Sequence, residues 1–159
     1  MSSSEIRATK KYGNGLFALK AFSKNQTILQ FQGKKVSRQE AMDADRDVSD
    51  LYFQIGEALY LDLGGDSSLF INHSCNPNCM IKVVAGTAFL VALRTINKDD
   101  EMTFDYSTTS NETADTWMME CRCYQFNCRK IITGAHTLKE KDRNFYKIVG
   151  ALPNYINNI

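Results

Sequence analysis

Apolar residues along the chain fall in short runs, a pattern typical of β-strands rather than of long helices. Gly, Asn, Asp and Lys stand between the runs, where turns are expected. The predicted strands cover residues 16–19, 27–31, 51–55, 58–63, 80–84 and 87–93. The pattern therefore predicts a mainly β fold with few helices.

Two helices are predicted from their start signals. In a capping box, a Ser or Thr and a Glu three residues later each accept a hydrogen bond from an unpaired backbone N–H. Two pairs fit this pattern, Ser37 with Glu40 and Thr137 with Glu140. The first helix should cover about residues 38–44 and the second about 138–149. The apolar face of the second is expected to comprise Leu138, Phe145, Ile148 and Val149.

Composition narrows the class of protein. A chain of 159 residues suits one domain, and 43% hydrophobic with 23% charged residues excludes general disorder. The formal charge of +1 provides no overall basic field, so no direct nucleic-acid binding is expected. Because no signal peptide or membrane-length apolar stretch is present, we expect an intracellular protein without membrane contact. The oligomeric state is left open.

Charge is unevenly distributed along the chain. Residues 1–40 carry eight basic and two acidic side chains, whereas residues 41–70 carry seven acidic side chains and one basic. Two interpretations stay open. The acidic segment lines a groove that favours a cationic partner such as a lysine-rich peptide, or these charges only solvate separate faces.

The five cysteines are grouped in two parts of the chain. An odd number without a secretion signal argues against a disulfide scaffold. Cys121, Cys123 and Cys128 form C-x-C-x4-C, which offers three soft ligands, and a structural zinc ion takes four. Either Cys75 or Cys79 can supply the fourth. The alternative is a set of reduced, buried thiols that pack as small apolar residues.

A run of polar and turn-forming residues at 72–78, N-H-S-C-N-P-N, directly follows the apolar residues 69–71. Burying so many donors and acceptors is costly unless they are paired, so this segment should face a ligand or lie in a knotted core. The neighbours His73 and Ser74 do not form a catalytic pair, because adjacent residues of an extended chain point to opposite faces. A hydrolase is therefore disfavoured.

Four motifs occur in a fixed order: G-N-G-L-F at 13–17, F-I-N-H-S-C-N-P-N at 70–78, E-M-T-F-D-Y at 101–106 and C-R-C-Y-Q-F-N-C at 121–128. Together they resemble the motifs of the SET-domain protein lysine methyltransferases, over about residues 11–134. The resemblance implies a mainly β SET fold, a β-clip of several small sheets around a knot-like core, with few short helices and a C-terminal helix. It also implies a SET domain at 1–118, a post-SET zinc-binding segment at 119–134 and a C-terminal helical extension at 135–159.

The function that the resemblance implies is S-adenosylmethionine-dependent transfer of methyl groups to the ε-amine of a protein lysine. The cofactors would be S-adenosylmethionine (SAM) and zinc, and the partner a lysine-bearing protein, with a histone tail among the candidates. Two other classes remain. One is a catalytically silent SET-like module that binds a basic peptide, and the other is a zinc-dependent interaction domain.

The resemblance also implies roles for single residues. Tyr106 would be the active-site tyrosine and Tyr52 a second tyrosine of the lysine channel, for which ordinary core burial is the alternative. Phe104, two residues before Tyr106, would leave room for di- or trimethylation. The cofactor-binding residues would be Gly13, Asn14, Gly15, Leu16, Asn72, His73, Tyr106 and Met119, with Trp117 as an alternative to Met119. The zinc ligands would be Cys75, Cys121, Cys123 and Cys128, leaving Cys79 to strand packing.

The chain departs from the family pattern at three places. Leu69 stands where Arg is usual, and Tyr124 stands where the post-SET segment usually has Gly. We also expect a minimal member that lacks the cysteine-rich pre-SET region. These departures leave the identity of the substrate open.

Overall fold

The fold is mainly β, as the sequence predicts. The computed structural model describes residues 2–9, 13–44, 52–111 and 117–156. In these residues, twelve short strands form five small sheets. The strands are β1 Ser4–Ala8, β2 Asn14–Ala18, β3 Thr27–Gln30, β4 Lys34–Ser37, β5 Tyr52–Gln54, β6 Leu59–Asp62, β7 Asn72–His73, β8 Cys79–Val84, β9 Thr87–Ala92, β10 Thr103–Phe104, β11 Met119–Glu120 and β12 Ile131–Ile132.

Two three-stranded sheets, ordered β3-β9-β8 and β4-β6-β5, contain five of the six strands predicted from apolar runs. The sixth predicted strand, β2, pairs with β1, and β4 was not predicted. The strands β8 and β9 form an antiparallel hairpin whose turn is Ala85-Gly86. Both turn residues have positive φ, 49° and 69°, as a two-residue hairpin of the type I′ class requires. Strands β1 and β2 form a separate antiparallel pair at the start of the described chain.

A short parallel pair, β7 with β10, joins two of the sequence motifs. Thr103 lies beside Asn72, and Phe104 lies beside His73. An isolated bridge between Phe17 and Glu101 then places β2 next to the residues preceding β10. Segments that are distant in sequence thus meet at one place in the fold.

The hairpin β8–β9 is covered on both faces, which explains its continuous apolar sequence. On one face, Ile81 and Leu90 are fully buried in the main core, with Leu16, Phe22, Ile71 and Met102. On the other face, Met80 and Val91 pack against a second cluster from the C-terminal region, formed by Ala135, Leu138, Tyr146, Ala151, Leu152 and Ile156. The C-terminal region is therefore part of the packed domain.

Helices are few and short. The helix α1, Arg38–Met42, begins with the predicted capping box, in which Ser37 N donates to Glu40 Oε2 at 2.8 Å and Glu40 N donates to Ser37 Oγ at 3.2 Å. Single 3-10 turns cover Ser67–Phe70, Tyr106–Thr108 and Ala135–Thr137. Among the described residues, no helix combines the length and the apolar character needed to cross a membrane.

The C-terminal helix α2, Glu140–Ile148, begins later than predicted. The predicted capping box at Thr137 is wrong: Thr137 lies in a 3-10 turn, where its Oγ1 donates to Gly134 O at 2.9 Å. The predicted apolar face is also wrong in part, since Phe145 is 48% and Ile148 85% exposed. The buried residue of α2 is Tyr146, because its hydroxyl has a polar partner inside the domain.

Candidate active site

Three sequence motifs meet around the side chain of Asn72. Its Nδ2 donates to Asn14 O on β2 at 3.0 Å and to Glu101 Oε1 at 2.8 Å. The structure thus brings together the predicted cofactor-binding segments 13–16 and 72–73. Residues 10–12, at the start of the resemblance, lie outside the described residues.

The two glycines of the first motif are required for different physical reasons. Gly13 has φ +47°, a left-handed conformation that strains residues with a Cβ, and the space beside it is open. At Gly15 a Cβ would lie 2.6 Å from Glu101 Oε1 and 2.7 Å from Thr9 Cγ2. Gly15 is therefore needed for the close approach of β2 to its protein neighbours.

Glu101 is a site residue that the sequence analysis missed. Its half-buried carboxylate lies beside Asn72, and its backbone O accepts from Asn78 Nδ2 at 2.8 Å. The same Asn78 side chain accepts from Thr103 N at 2.9 Å, which holds the start of β10 in place. The signal that was available is its position as the first residue of E-M-T-F-D-Y.

The predicted active-site tyrosine, Tyr106, follows β10 directly. Its hydroxyl donates to Ile71 O at 2.8 Å, and its backbone N donates to His73 Nδ1 at 3.2 Å. The ring centroid lies 4.8 Å from that of Phe104 and 5.3 Å from that of His73. Tyr106 is thus oriented by Ile71 and His73, the residues on either side of Asn72.

Aromatic rings continue from Tyr106 into the core. Centroid distances are 4.8 Å from Tyr106 to Phe104, 6.1 Å from Phe104 to Phe53 and 5.0 Å from Phe53 to Phe31. These rings form an apolar wall that begins at the Tyr106 ring. An amine placed against that wall would lose much of its hydration.

Tyr52 occupies a different environment from Phe53. Successive residues of a strand face opposite sides, and Phe53 on β5 is the one that contacts the ring of Phe104. Tyr52 packs with the smaller cluster of Val36, Ala41 and Tyr60. Its assignment to a lysine channel stays a prediction.

A group of possible metal ligands lies in the cluster against which Tyr106 packs. The ligand atoms of His73, Cys75, Cys121 and Cys123 all lie within 4.8 Å of one another, and all four residues are buried. Nitrogen and sulfur donors in this number suit tetrahedral zinc. Three of the four predicted ligands are therefore brought together, and His73 joins them.

The fourth predicted ligand, Cys128, lies at the edge of this group. Its Sγ is 3.6 Å from Cys121 O, and its side chain packs against the buried cysteines. His73 Nε2 lies 3.3 Å from Cys75 Sγ. Burial lowers the pKa of His73 to about 4, so its imidazole is neutral at neutral pH. Because Nδ1 accepts from Tyr106 N, the neutral ring carries its proton on Nε2, which donates to Cys75 Sγ.

The thiols of Cys123 and Cys79 differ in acidity. Although burial opposes it, hydrogen bonds from backbone groups of Cys75 and Gln125 lower the pKa of Cys123 to about 7, which favours the thiolate that zinc requires. Burial raises the pKa of Cys79 to about 12, and this residue is 1% exposed in the main core. These environments fit a ligand role for Cys123 and a packing role for Cys79.

Asp105 and Arg129 form an ion pair between the Tyr106 turn and the cysteine segment. The Arg129 guanidinium contacts Asp105 Oδ1, and Arg129 N lies 3.4 Å from Cys75 Sγ. The Asp105 side chain is 3% exposed. The sequence analysis missed this pair, although Arg129 directly follows Cys128 and Asp105 directly precedes Tyr106.

Both candidates for the cofactor-facing residue near the cysteines pack in the same cluster. Met119, on β11, and Trp117 are half-buried against Cys75, Cys121, Cys123 and Ile132, and Tyr106 contacts this cluster from the other side. Nearby, Tyr124 is 71% exposed and has φ +55°. Glycine adopts this conformation without strain, which gives a physical reason for the Gly that the motif resemblance implies at this position.

The acidic segment 41–70 is only partly described, since Asp45, Asp47 and Asp50 lie outside the described residues. Two of its other carboxylates serve local turns. Asp62 Oδ1 accepts from Gly64 N, and Asp66 Oδ1 accepts from Ser68 N, both at 2.9 Å. The interpretation as a substrate groove stays a prediction.

A recess of about 150 Å³ connects the cofactor and metal residues. It is lined by His73, Ser74, Asn78, Glu101, Thr103 and Cys123, among others. Its lining is mainly polar, so it suits a ligand with several hydrogen-bonding groups. The recess therefore lies where three of the sequence motifs meet.

Comparisons with known proteins agree with this geometry. Residues 13–107 match the family model described as "SET domain". The chain is 34% identical over 127 residues to "Histone-lysine N-methyltransferase, H3 lysine-4 specific" of Aspergillus oryzae, an alignment that covers 72% of this chain and 10% of that protein. It is 30% identical over 129 residues to "Histone-lysine N-methyltransferase 2D" of Homo sapiens, covering 74% of this chain and 2% of that protein.

A solved structure has the same fold. The crystal structure of KRYPTONITE in complex with mCHG DNA and SAH superposes with a TM-score of 0.66 and 23% sequence identity, covering 82% of this chain and 29% of that one. The chain thus spans a small part of each of these proteins. The residues that match the family model contain three of the four motifs, those at 13–17, 70–78 and 101–106.

Proposed function

Because the chain belongs to the SET-domain family, we propose that it is a SAM-dependent protein lysine N-methyltransferase. The observation that carries the proposal is the pairing of β7 with β10, which places Asn72 and His73 beside Phe104 and close to Tyr106. Similar curated proteins are named histone-lysine N-methyltransferases, and the similar solved structure holds SAH, the product that SAM leaves after methyl transfer.

We propose that SAM is held by residues of the first and second motifs, together with Tyr106 and a residue near the cysteines. They are Gly13, Asn14, Gly15, Leu16, Asn72, His73, Tyr106 and Met119, with Trp117 beside Met119. When bound, SAM supplies a methyl group on a positively charged sulfur. Glu101 adds a half-buried carboxylate at the same place, which favours a ligand with cationic groups.

The chain's own contribution is to prepare the lysine amine. Free lysine has a pKa near 10.4, so it is a poor nucleophile until it loses its proton. The wall of Phe104 and Phe53 disfavours the charged ammonium form, because apolar surroundings do not solvate it. The Tyr106 hydroxyl, held by Ile71 O, would orient the neutral amine and exclude water.

Zinc would join two distant parts of the chain. Cys75 follows β7, whereas Cys121, Cys123 and Cys128 belong to the segment that begins after Trp117. Binding one ion by both parts would fix that segment against Tyr106. We propose the predicted division on this basis, with a SET domain at 1–118, a post-SET segment at 119–134 and a C-terminal extension at 135–159.

The substrate we propose is a lysine in a protein, with a histone tail as the first candidate. The names of the similar proteins support this choice. A histone substrate would place the protein inside the cell, in the nucleus or cytoplasm. We propose no direct contact with nucleic acid or with a membrane.

Substituting Tyr106→Phe is expected to lower methyl transfer by at least about tenfold, since the hydroxyl that orients the amine is lost. Radiolabelled SAM would be incubated with a histone panel and a cell lysate, and intact-mass measurement would count the methyl groups. Calorimetry with SAM would show that both proteins bind the cofactor. Binding of SAM and a basic peptide without transfer by the natural chain would favour the silent binding module.

Substituting Phe104→Tyr is expected to shift the product from di- or trimethyllysine to monomethyllysine. Phe104 is 5% exposed and packs against Tyr106, so a new hydroxyl would occupy space beside the amine and hold it by hydrogen bonding. Mass spectrometry of a peptide substrate at matched turnover would give the distribution of products. An unchanged distribution would contradict the assignment of Phe104 to the amine-binding wall.

A further inference from the structure

The carboxylate of Asp105 receives donors from three separate parts of the chain. Ser107 N, in the turn that contains Tyr106, donates to Oδ1 at 3.1 Å. Arg129, from the cysteine segment, also contacts Oδ1. Tyr146, on α2, donates its hydroxyl to Oδ2 at 3.0 Å. One side chain therefore joins the Tyr106 turn, the cysteine segment and the C-terminal helix.

Because the Asp105 carboxylate is buried, the loss of any one of its hydrogen-bond donors is costly. Asp105 is 3% and Tyr146 5% exposed, so water does not replace a lost donor at low cost. Burial and the neighbouring carboxylate raise the pKa of the Tyr146 hydroxyl, which therefore keeps its proton and remains a donor.

The C-terminal region holds the Tyr106 turn at two further points. Ser107 Oγ donates to Thr133 O at 2.6 Å, and Ala135 N donates to Ser110 O at 2.9 Å. Asp105 also caps the 3-10 turn Tyr106–Thr108, because its side chain accepts from the second residue of that turn. Tyr146 thus contacts the residue that fixes where this turn begins.

We propose that Tyr146 is a positioning residue for Tyr106, acting through Asp105. The proposal rests on the proposed function only for its kinetic consequence. Tyr146 lies outside residues 13–107, which match the family model, so this support comes from the C-terminal extension. The helix α2 holds the Asp105 carboxylate, the carboxylate holds the turn, and the turn sets the place of the Tyr106 hydroxyl.

The test compares Tyr146→Phe with Tyr60→Phe. Tyr60 is 5% exposed, like Tyr146, and packs with Val36 and Ala41 in a cluster separate from those that Tyr106 contacts. Each substitution removes one buried tyrosine hydroxyl and keeps the ring. Hydrogen exchange of the amides of Tyr106 and Ser107 would be measured, along with kcat and KM for a histone peptide.

For Tyr146→Phe we expect exchange of these amides to become about tenfold faster, since the turn opens more readily. We also expect kcat to fall about tenfold while KM for the peptide changes by less than about twofold. Tyr60→Phe should leave both amides and kcat close to those of the natural chain. A purely structural role of Tyr146 would lower overall stability without this selective change.

If the amides of Tyr106 and Ser107 exchange at the same rates in both variants, the proposal is overturned. An unchanged kcat for Tyr146→Phe in a protein that methylates would also overturn it. If the natural chain transfers no methyl group to any substrate, the proposed function fails, and the exchange comparison still decides whether Tyr146 holds the turn.

Discussion

Replacing Cys123 with serine is expected to remove bound zinc, from one ion per chain to below about one tenth. Cys123 lies in the group of four ligands, and its environment lowers the thiol pKa to about 7, so it is the cysteine best prepared to bind as a thiolate. Serine offers a hydroxyl that does not ionise at this pH. Without the ion, the segment 117–132 would lose its anchor to Cys75, and the affinity for SAM would fall.

Zinc content would be measured by plasma emission on purified protein, with Cys79→Ser as the matched control. Cys79 is buried in the main core, away from the ligand group, and burial keeps its thiol protonated. Cys79→Ser should keep its zinc even if the protein is less stable. Full zinc content in Cys123→Ser would contradict the metal site.

The same measurement decides the fourth ligand. The sequence analysis assigns Cys128, whereas the structure places His73 Nε2 within the group. Loss of zinc from Cys128→Ser would confirm the set of four cysteines. Retention of zinc in that variant would assign the position to His73.

Replacing Asn72 with alanine is expected to weaken SAM binding by at least about a hundredfold. The Asn72 side chain joins Asn14 O to Glu101 Oε1, so its loss leaves a half-buried carboxylate without this donor and releases β2 from β7. Both effects change the place where the cofactor residues meet. The rest of the fold should persist, because Asn72 lies at the edge of the core.

Calorimetry with SAM and with SAH would give the affinities, and circular dichroism would confirm the fold. The control is Asn97→Ala, the same chemical change at an exposed position that does not line the recess. An affinity like that of the natural chain in Asn72→Ala would show that the cofactor binds elsewhere.

Local sequence signals predicted six of the twelve strands in the described residues, and the helix α1. Short apolar runs predict the strands because each needs only a few residues to cover a core, and the capping box at Ser37 is confirmed because both of its contacts are local. The C-terminal helix was predicted less well. Its buried residue, Tyr146, donates to Asp105, which lies 41 residues away along the chain, and no local pattern contains that partner.

The candidate site also combines residues that sequence motifs indicate with contacts between distant residues that they do not. The motifs identify Asn72, His73 and Tyr106 because their order along the chain is distinctive. They do not reveal that Gly15 is required by Glu101, or that Arg129 pairs with Asp105, since these contacts join residues 24 to 86 positions apart. Tyr124 is an intermediate case, because the departure from Gly is visible in the sequence but its positive φ is not.

The parallel pairing of β7 with β10 has a consequence for how the chain reaches its final state. A parallel pair needs a crossover connection, here the whole hairpin β8–β9, so residues 72–73 acquire their neighbours only after residue 104 has been synthesised. Contacts this distant in sequence form slowly. Until residues 121–123 arrive as well, Cys75 is an exposed thiol, open to oxidation and to wrong partners. Zinc supplied during synthesis, under reducing conditions, would therefore raise the yield of active protein more than zinc added afterwards.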